Sequence, residues 1–122
     1  MVGPVKGRIL VEIVHEIKPK HVLEIGTFIG YSVILIGKEL ENGAQLITIE
    51  IDPYAAEIAR ANVRKAELLA NIKVLIGAAL KIIPKLKGEF DLVFIDADKR
   101  QYLDYLRLIE DKLHKRKLYS CG

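Results

Sequence analysis

The stretch Val22-Leu23-Glu24-Ile25-Gly26-Thr27-Phe28-Ile29-Gly30-Tyr31-Ser32 decides the fold of this 122-residue chain. Apolar residues lead into a segment with two glycines, and a second apolar run, Val33 to Ile36, follows it. This order predicts a buried strand, a tight loop and the first turn of a helix. A helix N-terminus presents unpaired N–H groups and the positive end of a dipole, so the loop suits an anionic or carboxylate-bearing ligand. The glycines lack a Cβ and therefore let a ligand approach the backbone.

Glu24 is the unusual residue of the predicted strand. A carboxylate inside a buried strand is costly unless it has a partner. We therefore expect Glu24 to face a ligand or to accept a hydrogen bond from a nearby N–H group.

Length and composition predict one globular domain, residues 1–122, with 51% apolar residues and a net charge of +3. This charge is too small to indicate a nucleic-acid partner, and the basic run 112–117 is typical of a solvated face or tail. The single cysteine, Cys121, excludes an internal disulfide and a cysteine-based zinc site. No apolar run approaches the roughly 20 residues that span a bilayer, and no signal-peptide pattern occurs. The expectation is a cytoplasmic protein that binds neither nucleic acid nor membrane.

The rest of the chain alternates between helical and strand patterns. The predicted helices are 5–17, 32–40, 52–69, a short one before Pro84, and 101–113, and the predicted strands are 21–25, 45–50, 72–76 and 90–96. This alternation predicts an α/β fold with about four parallel strands, right-handed crossovers and helices on both faces of the sheet. Ligands of such sheets bind at the carboxyl ends of the strands.

Glu50 ends the second predicted strand, after the glycine loop in the chain. An acid in this position accepts hydrogen bonds from both ribose hydroxyls of a nucleotide, although a simple surface acid is the alternative. A dinucleotide fingerprint needs Gly-x-Gly-x-x-Gly, whereas this loop has only Gly26 and Gly30. A cofactor without a phosphate, such as S-adenosylmethionine, fits better. Its methionine end would meet Glu24, Ser32 and the helix N-terminus.

Several short segments together carry a family resemblance. They are Glu24-Ile25-Gly26-Thr27-x-x-Gly30-Tyr31-Ser32, Ile47-Thr48-Ile49-Glu50, Gly77-Ala78, Ile83-Pro84 and Phe94-Ile95-Asp96-x-x-Lys99. This set resembles the S-adenosylmethionine-dependent O-methyltransferases of the catechol and caffeoyl-CoA type. The catechol enzymes are the more similar, because Val2-Gly3 and Lys6-Gly7 also match their approach to the first strand. The resemblance covers residues 2–113 and implies a Rossmann-like methyltransferase fold that methylates a hydroxyl of a small, catechol-like acceptor.

The resemblance also implies roles for individual residues. The implied cofactor-binding residues are Val2, Glu24, Gly26, Tyr31, Ser32, Glu50, Ile51, Ala78 and Asp96. Val2 and Ser32 would hold the methionine end, Glu50 the ribose, and Ile51 the adenine. Asp96 would also bind a magnesium ion, and Lys99 would be the catalytic base that takes the proton of the acceptor hydroxyl. The alternatives are that Asp96 caps the last helix and that Lys99 is an exposed first-turn lysine.

Other positions depart from the family pattern. Ala79-Leu80 stand where the family usually has a polar residue against the adenine, and Asp98 replaces an aromatic residue. The family has additional N-terminal helices, and after Leu113 it continues with a strand that delivers an Asp-Asn pair of metal ligands. Here residues 114–122 form an atypical tail. The expectation is a domain truncated at both ends, with a magnesium site that keeps only Asp96.

Truncation would leave the strand over residues 90–96 at the edge of the sheet, apolar on both faces and unpaired on one side. Such an edge invites pairing with another chain, so the sequence predicts a homodimer or larger oligomer through this strand. Three functions remain open. They are an active O-methyltransferase, an inactive S-adenosylmethionine-binding remnant that acts through oligomerisation or a partner, and an NAD-binding module, against which the glycine spacing argues.

Overall fold

The computed structural model describes residues 4–26, 31–95, 99–113 and 118–120, without the side chains of 4–6, 99 and 118–120. The helices are α1 (Pro4–Ile17), α2 (Tyr31–Glu39), α3 (Pro53–Ala66), α4 (Ala79–Ile82) and α5 (Lys99–Ile109), with 3₁₀ turns at Ile83–Lys85 and Glu110–Lys112. The strands are β1 (His21–Ile25), β2 (Gln45–Glu50), β3 (Asn71–Ile76), β4 (Leu92–Ile95) and β5 (Leu118–Ser120).

The strands form one sheet in the order β3-β2-β1-β4-β5. All the neighbouring pairs are parallel, and β1 lies at the centre between β2 and β4. In register, Glu24 of β1 lies opposite Thr48 of β2 and Phe94 of β4. The predicted α/β class with a parallel sheet is therefore confirmed.

Apolar side chains cover both faces of the sheet. On one face, α1 and α2 pack onto the strands through Leu10, Val14, Val33, Ile36, Val22, Leu46 and Phe94. On the other face, α4 and α5 pack through Ala79, Ile83, Tyr105, Ile109, Leu23, Ile49 and Val93. Successive residues of a strand point to opposite faces, which is why Val22 and Leu23 belong to different layers. The strands are thus buried on both sides, as is usual for a parallel sheet.

The start of α3 follows its sequence signal closely. The Asp52 carboxylate accepts a hydrogen bond from the backbone N–H of Tyr54 at 3.0 Å, and Pro53 occupies the first helical position. The predicted end at residue 69 is wrong, because Glu67 adopts a left-handed conformation (φ 48°) and its N–H bonds to the Arg64 carbonyl. A left-handed residue stops the helical hydrogen-bond pattern, and no glycine marks this position in the sequence.

An arginine from α3 binds a backbone carbonyl at one edge of the sheet. Asn71 and Gly77 donate their N–H groups to the β2 side, so the carbonyl of Val74 in β3 points away from the sheet. The Arg60 guanidinium donates to this carbonyl through Nε at 3.2 Å and Nη2 at 2.7 Å. Its Nη1 also contacts the Glu57 carboxylate at 2.7 Å. Arg60 therefore satisfies an outward-facing carbonyl of the edge strand.

The other edge differs from the expectation. Residues Leu118–Ser120 form β5, which pairs with β4 in the register Val93↔Leu118, Phe94↔Tyr119 and Ile95↔Ser120. The prediction that the strand over residues 90–96 would be an unpaired edge is wrong, because part of the presumed tail is long enough to cover it. The argument for a homodimer through that strand fails with it. The strand itself is shorter than predicted, and Phe90 forms only an isolated bridge with Leu113.

Candidate functional site

The buried carboxylate of β1 is held by two hydroxyl groups. Glu24 is only 3% exposed. Its Oε1 accepts a hydrogen bond from Thr48 Oγ1 at 2.9 Å, and its Oε2 accepts a short one from Ser32 Oγ. Hydroxyls of β2 and α2 are therefore partners of this carboxylate that the sequence did not predict, and the predicted contact with a ligand or an N–H group stays a prediction. The network connects the centre of the sheet to the first turn of α2, which begins at Tyr31, one residue before the predicted start.

A cavity of about 270 Å³ opens beyond the carboxyl ends of β1, β2 and β3. This is the edge at which parallel α/β sheets bind their ligands. The cavity brings together four of the residues that the sequence assigned to the cofactor, namely Gly26, Glu50, Ile51 and Ala78. They meet because each follows or ends a parallel strand at the same edge.

Two glycines shape the wall of this cavity. Gly26 and Gly77 have positive φ angles of 96° and 145°, which only glycine adopts without strain. Their N–H groups donate to the carbonyls of Ile49 and Glu50 at 2.9 Å, so the chain turns away directly after β1 and β3. A Cβ built on Gly77 would lie 2.9 Å from Ile82 Cδ1. A side chain at Gly77 would therefore strain the turn and displace Ile82 behind it.

Glu50 supplies the charge of the cavity. It is almost buried, and its Oε2 accepts a hydrogen bond from the backbone N–H of Asp52 at 2.9 Å. That bond fixes the carboxylate against the wall. A carboxylate has about four lone-pair sites, so it can accept further hydrogen bonds from a ligand beside this one. A pair of neighbouring hydroxyls matches such an acceptor.

The mouth of the cavity is apolar. Ile51 is 70% exposed and Leu80 is 36% exposed, and both line the cavity. Ligand pockets are lined mainly by apolar side chains, so these two residues suit an apolar part of a ligand. A flat ring placed between them would remove this apolar surface from water.

Gln101 and Tyr105 of α5 also line the cavity, and the sequence analysis missed them. Tyr105 is buried, and its hydroxyl donates to Gln101 Oε1 at 3.2 Å. Burial raises the pKa of the Tyr105 hydroxyl, with a smaller contribution from the Asp104 carboxylate. The spacing of four residues, which places both on one face of the predicted helix, is the signal that could have found them.

The remaining predicted site residues do not join this cavity in the part of the chain that is described. Val2 and Asp96 lie outside the described residues, and Lys99 begins α5 with its side chain outside them. Tyr31 and Ser32 lie at the start of α2 and do not line the cavity. Within the described ranges, no group of three His, Cys, Asp or Glu residues could hold a metal ion. None of the described helices is long and apolar enough to cross a membrane.

Comparison with known proteins identifies relatives along almost the whole chain. The model of a family described as O-methyltransferase matches residues 1–120. The catechol O-methyltransferase of Niastella koreensis is 37% identical over 110 residues, which are 87% of this chain and 50% of that protein. Catechol O-methyltransferase B of Danio rerio is 41% identical over 114 residues, covering 89% of this chain and 43% of that protein. The chain thus spans about half the length of the curated relatives it matches.

Solved structures agree with this assignment. The O-methyltransferase of Bacillus cereus in complex with SAH (S-adenosylhomocysteine) superimposes with a TM-score of 0.87 at 32% identity, over 93% of this chain and 54% of that one. An SAH-bound methyltransferase of Podospora anserina gives a TM-score of 0.91 at 29% identity, over 99% of this chain and 53% of that one. These matches confirm the predicted Rossmann-like methyltransferase fold. On the family match and the identity of its relatives, the chain belongs to the O-methyltransferase family.

Proposed function

We propose that the chain binds S-adenosylmethionine and carries the cofactor half of an O-methyltransferase that acts on a hydroxyl of a small, catechol-like acceptor. The observation that carries the proposal is Glu50, a nearly buried carboxylate fixed in the cavity wall at the carboxyl end of β2. Relatives named catechol O-methyltransferase support the acceptor class. The SAH bound in two structural neighbours supports the cofactor.

The cavity fits the nucleoside part of this cofactor. Its volume of about 270 Å³ is near the lower end of ligand pockets, as expected for a site that holds part of a larger ligand. Glu50 would accept hydrogen bonds from the two ribose hydroxyls. Ile51 and Leu80 would pack against the faces of the adenine ring. The open wall at Gly26 and Gly77 would let the sugar lie close to the backbone.

We place the methionine end at the start of α2. Ser32 Oγ donates its hydrogen bond to Glu24, so the lone pairs of the hydroxyl oxygen can still accept from an ammonium group. The N–H groups and the dipole of the helix N-terminus suit the ligand carboxylate. Val2 and Tyr31 belong to this part of the site in our proposal.

The reaction needs a proton acceptor near the methyl group. When bound, S-adenosylmethionine supplies a methyl group on a positively charged sulfur atom, which an acceptor oxygen can attack. We assign Lys99 the removal of the proton from the acceptor hydroxyl. Lys99 begins α5 beyond the carboxyl end of β4, which is the same sheet edge as the cavity. Magnesium binding by Asp96 and the cytoplasmic location stay predictions.

The direct test is calorimetric titration of the chain with S-adenosylmethionine. We expect binding by the wild type and a loss of at least about tenfold in Glu50→Ala, since hydrogen bonds to a charged group contribute roughly 1.5–3 kcal/mol each. Glu50→Gln should lose less, because its amide can still accept from Asp52. The exposed Glu41→Gln variant is the control.

Two results would contradict the proposal. One is the absence of binding by the wild type, and the other is unchanged binding by Glu50→Ala. If the wild type binds S-adenosylmethionine, the next measurement is a methyl-transfer assay with catechol and magnesium. The Lys99→Met variant is assayed for comparison. Cofactor binding without any methyl transfer would favour the alternative of an inactive S-adenosylmethionine-binding protein.

A further inference from the structure

The cavity has few side chains that could recognise a base. Among its described lining residues, Glu50, Gln101 and Tyr105 are the ones with polar side chains. Glu50 serves the ribose in the function proposed above. The wall that follows Gly77 consists of Ala78, Ala79 and Leu80, which offer no side-chain donor or acceptor. Among the described lining residues, the polar side chains that remain for recognition of a base are therefore those of α5.

We propose that Gln101, held in place by Tyr105, reads the hydrogen-bonding edge of the adenine base and selects adenine over a 6-oxopurine. This inference rests on the proposed function, because it assigns a specificity to the same cavity. Gln101 acts on the ligand directly, whereas Tyr105 acts through Gln101 as a positioning residue.

The hydrogen bond between Tyr105 and Gln101 determines whether the Gln101 amide presents its donors or its acceptor to the base. The Tyr105 hydroxyl donates to Gln101 Oε1 at 3.2 Å. Because the bond turns the amide oxygen toward Tyr105, the amide NH₂ group lies on the side away from Tyr105, and in our proposal its two N–H donors serve the base. The ring nitrogens of adenine are acceptors, whereas N1 of hypoxanthine carries a proton. A held amide therefore matches adenine and opposes the N1–H group of hypoxanthine.

The burial of the two residues supports this division of roles. Tyr105 is 7% exposed and packs among the apolar residues of α4 and the sheet, so its ring is fixed. Gln101 is exposed, and an exposed glutamine on a helix ordinarily keeps several rotamers. Its bond to a fixed hydroxyl holds it against the cavity wall. A tyrosine hydroxyl keeps its proton at neutral pH, and burial raises the pKa of Tyr105 further, so the hydroxyl is available as a donor.

A purely structural explanation exists and makes a different prediction. A buried tyrosine hydroxyl is costly without a partner, and Gln101 could serve only to satisfy it. In that case, changing Gln101 would alter the stability of the protein and leave the choice between bases unchanged. The preference between two ligands that differ only in the base is therefore the readout to measure.

The experiment measures the affinity of SAH and of S-inosylhomocysteine, its hypoxanthine analogue, by calorimetry. The proteins are the wild type, Gln101→Leu, Tyr105→Phe and the exposed Arg107→Leu control on the same helix. We expect the wild type to bind SAH about tenfold more tightly than S-inosylhomocysteine. SAH gains one hydrogen bond from Gln101, and it avoids the opposition of an amide donor to the N1–H group of hypoxanthine. Gln101→Leu should bind SAH about tenfold more weakly and lose the preference.

Tyr105→Phe is the sharper variant, since it removes one oxygen atom and frees the amide to rotate. We expect it to bind both ligands with similar affinity, while Arg107→Leu keeps the wild-type preference. A preference that persists in Gln101→Leu, or a wild type that binds both ligands equally, would overturn this inference alone. A wild type that binds neither ligand would overturn the proposed function and the inference with it.

Discussion

The hydroxyl of Thr48 offers the clearest test of how the site is held together. Thr48 is fully buried in β2, and its Oγ1 donates to Glu24 Oε1 at 2.9 Å. Valine has nearly the same shape and the same β-branched preference for strands, so Thr48→Val removes the hydrogen bond to Glu24 while largely keeping the packing of the side chain. A hydrogen bond to a charged group contributes roughly 1.5–3 kcal/mol. We expect the free energy of unfolding to fall by about 2 kcal/mol.

Thermal and urea unfolding followed by circular dichroism would measure this loss. For a domain of this size, about 2 kcal/mol corresponds to a fall of roughly 8 °C in the melting temperature. The urea m-value should stay unchanged, because the substitution does not alter the surface exposed on unfolding. The exposed Glu41→Gln variant should unfold like the wild type and serves as the control for Glu24→Gln.

A double-mutant cycle distinguishes the hydrogen bond from a packing effect. If Thr48 acts through Glu24, the double variant Thr48→Val/Glu24→Gln should lose less stability than the two single variants added together. The difference in the free energy of unfolding should be about 1 kcal/mol or more. The reasoning is refuted if Thr48→Val lies within about 0.5 kcal/mol of the wild type, or if the two substitutions are additive.

Three further predictions concern the elements around the cavity. Asp52→Ala should lose about 1 kcal/mol of stability in thermal unfolding, because it removes the N-cap of α3, whereas a loss as large in Asp52→Asn would contradict this explanation. Gly77→Ala (φ 145°) should weaken SAH binding and lose more stability than Gly43→Ala, where φ is also positive (92°) but a Cβ would meet nothing within 4 Å. Equal losses would exclude the clash with Ile82. The raised pKa of Tyr105 adds stability that is fully present below pH 10.0, the ordinary pKa, and is lost as the pH rises through the raised pKa. The free energy of unfolding should therefore fall less steeply with alkaline pH in Tyr105→Phe than in the wild type. Identical pH profiles of the two proteins would contradict this explanation.

The sequence predicts the elements that local chemistry determines. β1 and β2 begin and end where expected, because apolar and β-branched runs lie between turn residues at both ends. Asp52-Pro53 marks the start of α3 to the residue, since a cap and a first-turn proline act locally. The end of α3 was placed too late because Glu67 carries no glycine-like signal.

The parts that failed depend on contacts between distant residues. β5 was missed because the tail reads as a charged run, and only its position beside β4 makes Leu118–Ser120 a strand. In the site, Gly26, Glu50, Ile51 and Ala78 were found because strand ends in a parallel sheet meet at one edge. Gln101 and Tyr105 carry no motif, and the hydroxyl partners of Glu24 come from two separate elements.

The position of Arg60 has a consequence for how this protein meets other chains. An incoming strand that extended the sheet beyond β3 would need the Val74 carbonyl, which already accepts two hydrogen bonds from the guanidinium. The incoming strand would have to displace the Arg60 guanidinium, which also forms an ion pair with Glu57. Arg60 therefore works as a gatekeeper against edge-to-edge aggregation, supplied by a helix rather than by the strand it protects.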